Sequence, residues 1–94
     1  MKFDDIELVD NEAIHNFELT IDGQRSFIDY QVRGEKIYLI HTEVPEALQG
    51  QGVAEALVEK ALIHIENKGQ KVVPLCAYVQ IFLKKHPEWN RIVA

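Results

Sequence analysis

The sequence contains one cysteine, Cys76, in 94 residues. A disulfide within the chain is therefore excluded, and no set of Cys and His residues has the spacing of a zinc site. A lone thiol in a small chain without covalent staples points to a reducing compartment, so the expected location is cytoplasmic. No apolar run approaches the roughly 18 residues that a membrane span requires. The first residues, Met1-Lys2-Phe3-Asp4-Asp5, lack the apolar stretch of a secretory signal, and acids follow at once. There is no basic excess either: 10 Lys and Arg stand against 15 Asp and Glu, a net charge of −5, which argues against nucleic acid as a partner. No repeat, low-complexity stretch or linker interrupts the chain, and residues 1–94 read as one domain.

What is present suffices for a core. Hydrophobic residues make up 47% of the chain, and a chain of this size buries roughly 65% of its unfolded surface. The charge is unevenly distributed. Residues 1–22 carry seven acids and one lysine, whereas residues 68–94 carry Lys68, Lys71, Lys84, Lys85 and Arg91 against Glu88 alone. The basic segment is either a solvated surface or a local positive field suited to a phosphorylated ligand.

The apolar pattern changes period halfway along. Phe17, Leu19 and Ile21 alternate with polar residues, as in a strand. Asp22-Gly23 is a tight-hairpin dipeptide. Ser26 to Val32 alternates again, with Ile28, Tyr30 and Val32 on one side. After Gly34, Ile37-Tyr38-Leu39-Ile40 opens a strand that is apolar on both faces, expected to be central and to run on through Val44. These three strands read as an antiparallel meander. From Val53 the spacing becomes helical, with Val53, Ala54, Leu57, Val58, Ala61, Leu62 and Ile65 on one face and Lys68-Gly69 as the stop. Lys71 to Leu75 is a short apolar strand. A second helix carries Tyr78, Val79, Phe82, Leu83 and His86 on its apolar face and is closed by Pro87. Trp89 reads as a hydrophobic tack. The expected fold is α/β with a mixed sheet in the order β-β-β-α-β-α, its last two strands parallel across a right-handed crossover. In such sheets ligands sit beyond the carboxyl ends of the parallel strands. The 45–52 loop and Cys76 both fall there.

That loop, Gln49-Gly50-Gln51-Gly52-Val53-Ala54, has a distinctive chemistry. A helix start is ordinarily capped by Ser, Thr, Asp or Asn. Here the candidates are Gln51 and Gly52, so the first amides keep no side-chain acceptor at the positive end of the helix dipole. Two glycines let a ligand approach the backbone closely. Free amides beside glycines form an anion site that a pyrophosphate fits. Alternatively, the glycines serve only the turn from strand to helix. The spacing is neither a Walker A loop nor Gly-x-Gly-x-x-Gly, because Glu55 stands at the third glycine position.

With Val44 before it and Leu57 after it, this run resembles the signature of the GNAT superfamily of acetyl-CoA N-acetyltransferases, Gln/Arg-x-x-Gly-x-Gly/Ala at a strand–loop–helix junction. Gln49, Gly52 and Ala54 take the signature positions. His41-Thr42-Glu43-Val44-Pro45-Glu46 and Lys84-Lys85-His86-Pro87-Glu88 are similar to the minimal YjdJ-type members, and the likeness spans about residues 28–88. The resemblance implies the minimal GNAT fold and an acyltransferase that uses acetyl-CoA as co-substrate, without metal, to modify an amine on a small molecule or protein. It places the CoA pyrophosphate on the amides of Gln49, Gly50, Gln51, Gly52, Val53 and Ala54. The pantetheine arm would lie along Ile40, Thr42 and Val44, with a backbone N–H of that strand polarising the acetyl carbonyl. The tyrosine acid that many members carry on the last helix aligns with Phe82, which cannot donate a proton.

Cys76 is the candidate to replace it. It follows the second parallel strand and starts a helix, where a thiol becomes more acidic and more reactive, with Lys71, Lys84 and Lys85 adding to the field if they lie close. It would accept the acetyl group, donate a proton to the departing thiolate, or be a small core residue. His41 and Glu43 are the candidate bases, His41 having an alternative role as a half-buried structural residue. Tyr78, spaced with Phe82, reads as core. The competing reading of the whole chain is a non-catalytic module that binds or senses acyl-CoA.

Overall fold

In the computed structural model the described residues are 3–94. Met1 and Lys2, and with them the one cation of the acidic N-terminal stretch, lie outside the described residues. The strands are β1 (Val9–Asn11), β2 (Asn16–Ile21), β3 (Gln24–Arg33), β4 (Lys36–Glu43) and β5 (Lys71–Pro74), and the helices are α1 (Val53–Asn67) and α2 (Ala77–Lys85). They form one sheet in the order β1-β2-β3-β4-β5, antiparallel except for the parallel β4–β5 pair. The mixed α/β order expected from the periodicities is present, with β1 added in front. This strand has three residues and no apolar alternation, so only its pairing with β2 defines it.

Helix α1 packs across β2 to β5, and α2 packs on β4, β5 and α1, so both helices lie on one side of the sheet. That inner side holds a single core in which Phe17, Leu19, Ile28, Leu39, Leu57, Leu62, Ile65, Val72, Val79 and Phe82 are buried. Burying side chains of this size is worth about 1.5–3 kcal/mol each. Ala56, rather than Ala54, completes the buried stripe of α1. Its end follows the expected stop: Gly69 takes φ +71°, and the amides of Gly69 and Gln70 donate to Glu66 and Ile65 at 2.9 and 3.1 Å. Val93 and Ala94, past a 3₁₀ turn at Pro87–Ile92, return to the edge of β5, where the Ala94 amide donates to Val72 at 2.9 Å. Trp89 is buried, as a tack would be.

The outer side of the sheet carries no helix among the described residues. This corrects the reading of β4 as apolar on both faces: Ile37 and Leu39 are buried, but Ile40 is 41% exposed because nothing covers it. Val32 points to the same side as Ile28 and Tyr30 yet is exposed. β4 also contains a bulge. Tyr30 faces Leu39 while Asp29 faces His41, so Ile40 is an extra residue without an opposite number. Past it the alternation is shifted by one. Thr42 pairs with the buried Ile28 and points inward, whereas His41 and Glu43 pair with Asp29 and Phe27 and point outward.

Candidate active site

The β4–β5 ladder ends at the pair Leu39–Pro74. The amides of both Leu75 and Cys76 then donate to the Leu39 carbonyl, at 3.0 and 2.9 Å. Beyond this point β4 runs on to Glu43 while the chain after Pro74 turns into α2, and the two parallel strands separate. Cys76 sits in the fork. It is the extended residue preceding α2, it is buried, and its Sγ lies 3.3 Å from the Thr42 hydroxyl. The bulge at Ile40 is what turns Thr42 toward it.

The loop after β4 forms a 3₁₀ turn at Glu46–Leu48 and then the two glycine corners, Gly50 at φ +80° and Gly52 at φ +83°. Both are left-handed conformations that side chains beyond glycine adopt at a cost. Gly52 precedes α1 directly, and no side chain caps the helix. The helical ladder begins with Ala56 N–H donating to Gly52 O at 3.1 Å, so the amides before it lie outside the ladder at the positive helix end. Neither glutamine caps these amides; both side chains brace the loop instead. Gln49 Nε2 donates to Val44 O and Gln51 Nε2 to Ala47 O, both at 3.3 Å. A cleft of about 250 Å³ opens over this turn, walled by Val44, Leu48, Gln49, Gly50, Gly52 and Val53 together with Ala54, Glu55 and Tyr78.

Tyr78 is the residue that the sequence reading misplaced. Its spacing with Phe82 indicated core, but its side chain is at the cleft wall and 36% exposed, whereas Phe82 is buried and meets the His86 ring at a tilt. Helical periodicity assigns a stripe but not its edge, and Tyr78 lies on the edge, one turn nearer the fork than Phe82. Partial burial, with the Glu55 carboxylate adding, raises its phenol above the ordinary tyrosine value.

The other sequence candidates are not brought together. Ile40 lies on the outer face, Thr42 at the thiol, and Val44 at the cleft, while Gln51 braces the loop without lining it. His41 and Glu43 form an exposed pair at 3.9 Å on the outer face, opposite in direction to Thr42 and Cys76. His41 is thus not the half-buried structural residue of the alternative reading. Of the two readings of the basic segment, the solvated surface holds at the fork. Lys68 and Lys71 lie past the far end of α1, about 22 Å from its start at the helical rise, and Arg91 is paired there with Glu66. Lys84 and Lys85 occupy the last turn of α2, away from Cys76. The charge Cys76 meets is that of the α2 terminus rather than of lysines. At the far end, a cluster that carries no local sequence signal also forms. The Asp10 carboxylate accepts from the Tyr30 hydroxyl at 2.5 Å and contacts His64 Nε2 at 3.2 Å. Burial first, and the Asp10 hydrogen bond second, hold the Tyr30 phenol well above its ordinary value.

The site thus combines an uncapped helix start over a cleft with the fork of two parallel strands, and known proteins share this fold. The solution structure of a GCN5-like protein from Staphylococcus aureus superimposes with a TM-score of 0.71 over 98% of this chain and 91% of its own, at 23% identity, which speaks for the fold. The model of the GCN5-related N-acetyl-transferase family matches residues 16–92. Protein NATD1 of Gallus gallus is 31% identical over 85 residues, 87% of this chain and 77% of that protein. Protein NATD1 of Homo sapiens is 34% identical over 74 residues, 76% and 66% of the respective lengths. The chain belongs to the GCN5-related N-acetyltransferase family. Among the described residues, no helix is long and apolar enough to cross a membrane, and no three His, Cys, Asp or Glu residues gather as metal ligands.

Proposed function

We propose that this protein transfers an acetyl group from acetyl-CoA to an amine. The observation that carries the reading is the pairing of the uncapped α1 start, over its cleft, with the β4–β5 fork that holds Cys76. The amides at Gln49–Ala54 take the pyrophosphate at the positive helix end. The pantetheine arm follows the β4 backbone from Val44 toward Ile40, into the fork, where backbone N–H groups left by the departing strand polarise the thioester carbonyl. The amine nitrogen forms the new N–C bond and gives up one proton to a base, the C–S bond breaks, and the CoA thiolate takes one proton from an acid and leaves as the thiol. Cys76 contributes from the inner side of the fork, with Thr42 beside its sulfur: as an acid it protonates the CoA thiolate, whereas as a nucleophile it first takes the acetyl group and releases CoA, and the amine then breaks the Cys76 thioester. His41 and Glu43 lie on the outer side, where they accept the amine proton. On this reading residues 1–94 act as one domain in the cytoplasm, with acetyl-CoA and an amine as partners rather than nucleic acid or membrane.

The test is direct. Calorimetric titration with CoA, ATP and NAD should give binding for CoA alone. Incubation with acetyl-CoA and a panel of amines should release free thiol in step with acetylated amine. CoA binding without thiol release from any amine would favour the second reading, a non-catalytic acyl-CoA-binding module. That reading draws on Phe82, buried at the position where many family members carry the tyrosine acid.

A further inference from the structure

On the outer face, a trough of about 190 Å³ is lined by Gln31, Arg33, Tyr38, Ile40 and Leu75. Its floor is apolar, with Ile40 41% and Leu75 56% exposed, and its apolar end abuts the fork. Leu75 is the residue whose amide closes the β4–β5 pairing on Leu39, and Ile40 is the first residue of β4 beyond that pairing. The trough therefore reaches the fork from the side opposite to Cys76 and Thr42, on the face shared by His41 and Glu43.

Its other end is cationic in an unusual way. Arg33 stands opposite Lys36, and Lys36 stands opposite Lys71, so three cations form one row across β3, β4 and β5. Like charges directly opposite each other on a sheet are destabilising. Lys71 turns to the Arg91 carbonyl at 2.9 Å, but no carboxylate neutralises Arg33 among the described residues. The other two arginines are each held by a glutamate, Arg25 by Glu18 and Arg91 by Glu66. Arg33 instead lies over the Tyr38 ring, its Cζ 5.6 Å from the centroid. A guanidinium held on an aromatic face, without an acid, is pre-set to bind a carboxylate.

We propose that this trough is the acceptor site, and that it takes a primary amine joined through an apolar chain of several carbons to a carboxylate. The inference rests on the transferase reading above. The carboxylate sits on Arg33, with Lys36 beside it. The methylene chain lies over Tyr38 and Leu75, and the amine reaches the thioester in the fork. Tyr38 precedes Ile40 by two residues, about 7 Å along the strand, and this span sets the separation of the two ends. Compounds in which the amine and carboxylate share one carbon are too short to satisfy both.

The experiment compares three probes at saturating acetyl-CoA: 6-aminohexanoate, hexylamine and glycine. The expected order of kcat/KM is 6-aminohexanoate first, hexylamine lower through a raised KM, and glycine last. Arg33→Gln should raise the KM for 6-aminohexanoate about tenfold, as expected for loss of a charge-assisted pair, with kcat unchanged and the KM for hexylamine within twofold. Arg33→Lys should restore part of the loss. In a parallel titration that needs no turnover, 6-aminohexanoate added to the protein–CoA complex should shift the amide signals of Gln31, Tyr38 and Leu75, and Arg33→Gln should abolish the shifts. Equal kinetics for glycine and 6-aminohexanoate, or an Arg33→Gln effect of equal size on hexylamine, would overturn the site while leaving the transferase reading intact. Absence of CoA binding would remove the transferase reading, and this one with it.

Discussion

Replacing Gly52 by Asp or by Asn isolates the electrostatic part of cofactor binding. Both side chains have nearly the same shape, and both tolerate a left-handed backbone better than most residues. At Gly52, φ is +83° and no heavy atom lies within 4 Å of a built Cβ, so neither variant meets a clash. Each should lose about 1 kcal/mol of stability to backbone strain, offset in the Asp variant by about 0.3–1 kcal/mol from its charge at the positive helix end, and both are measured as shifts of the urea midpoint. The difference between them is one negative charge at the uncapped start of α1. A carboxylate about 6 Å from a phosphate charge costs about 3 kcal/mol at an effective dielectric of about 20. Screening at physiological salt reduces this to about half. The Asp variant should therefore bind CoA at least about tenfold more weakly than the Asn variant, equivalent to ~1.4 kcal/mol. Calorimetry at low and high salt is the assay, and the gap should narrow as salt rises. Equal CoA affinity for the two folded variants at low salt would refute the placement of the pyrophosphate on this turn.

Three further perturbations address the fork and the distal cluster. If Cys76 is a nucleophile, acetyl-CoA alone should leave an acetyl mass on the protein that Cys76→Ala abolishes; if it is an acid, no adduct forms yet Cys76→Ala slows transfer. Unchanged turnover in Cys76→Ala, together with no iodoacetamide labelling of the native protein, would make it a core residue. Tyr78→Ala should weaken CoA binding severalfold, because the ring walls the cleft, whereas Tyr78→Phe should keep the rate within a fewfold; a loss of about 100-fold or more in Tyr78→Phe would identify the phenol as a general acid. The raised Tyr30 phenol favours folding in its protonated form, so its contribution is complete below the unfolded value of about 10 and is lost as pH rises above it. Urea midpoints should fall more steeply above pH 10 in the wild type than in Tyr30→Phe, and parallel curves would exclude the buried Tyr30 phenol as a source of this pH dependence.

Much of this architecture is legible in local pattern. The period-2 runs around Phe17–Ile21 and Ser26–Tyr30 dictate strands, because alternate side chains must face opposite sides of a sheet. The 3.6-residue spacing from Val53 to Ile65 dictates a helix for the same geometric reason. The Gln49–Ala54 run announces an uncapped helix start from composition alone, since no residue there has a short side chain that can accept from the first amides. These features depend on neighbours a few positions away, and the chain carries them wherever it folds.

The remaining features depend on contacts between distant segments, and only the tertiary structure decides them. β1 exists because Val9–Asn11 pairs with β2, not because of its own pattern. The bulge at Ile40 reverses which β4 residues face the core, and that single extra residue places Thr42 against Cys76 while sending His41 and Glu43 to the other side. Tyr78 is at the cleft rather than in the core because α2 starts beside the α1 terminus, a placement no periodicity encodes. The row Arg33–Lys36–Lys71 joins residues up to 38 positions apart through sheet register alone. Sequence determines which residues can form a helix or strand; which face each side chain occupies, and what it meets there, follows from the pairing of strands and the packing of helices on one side of them.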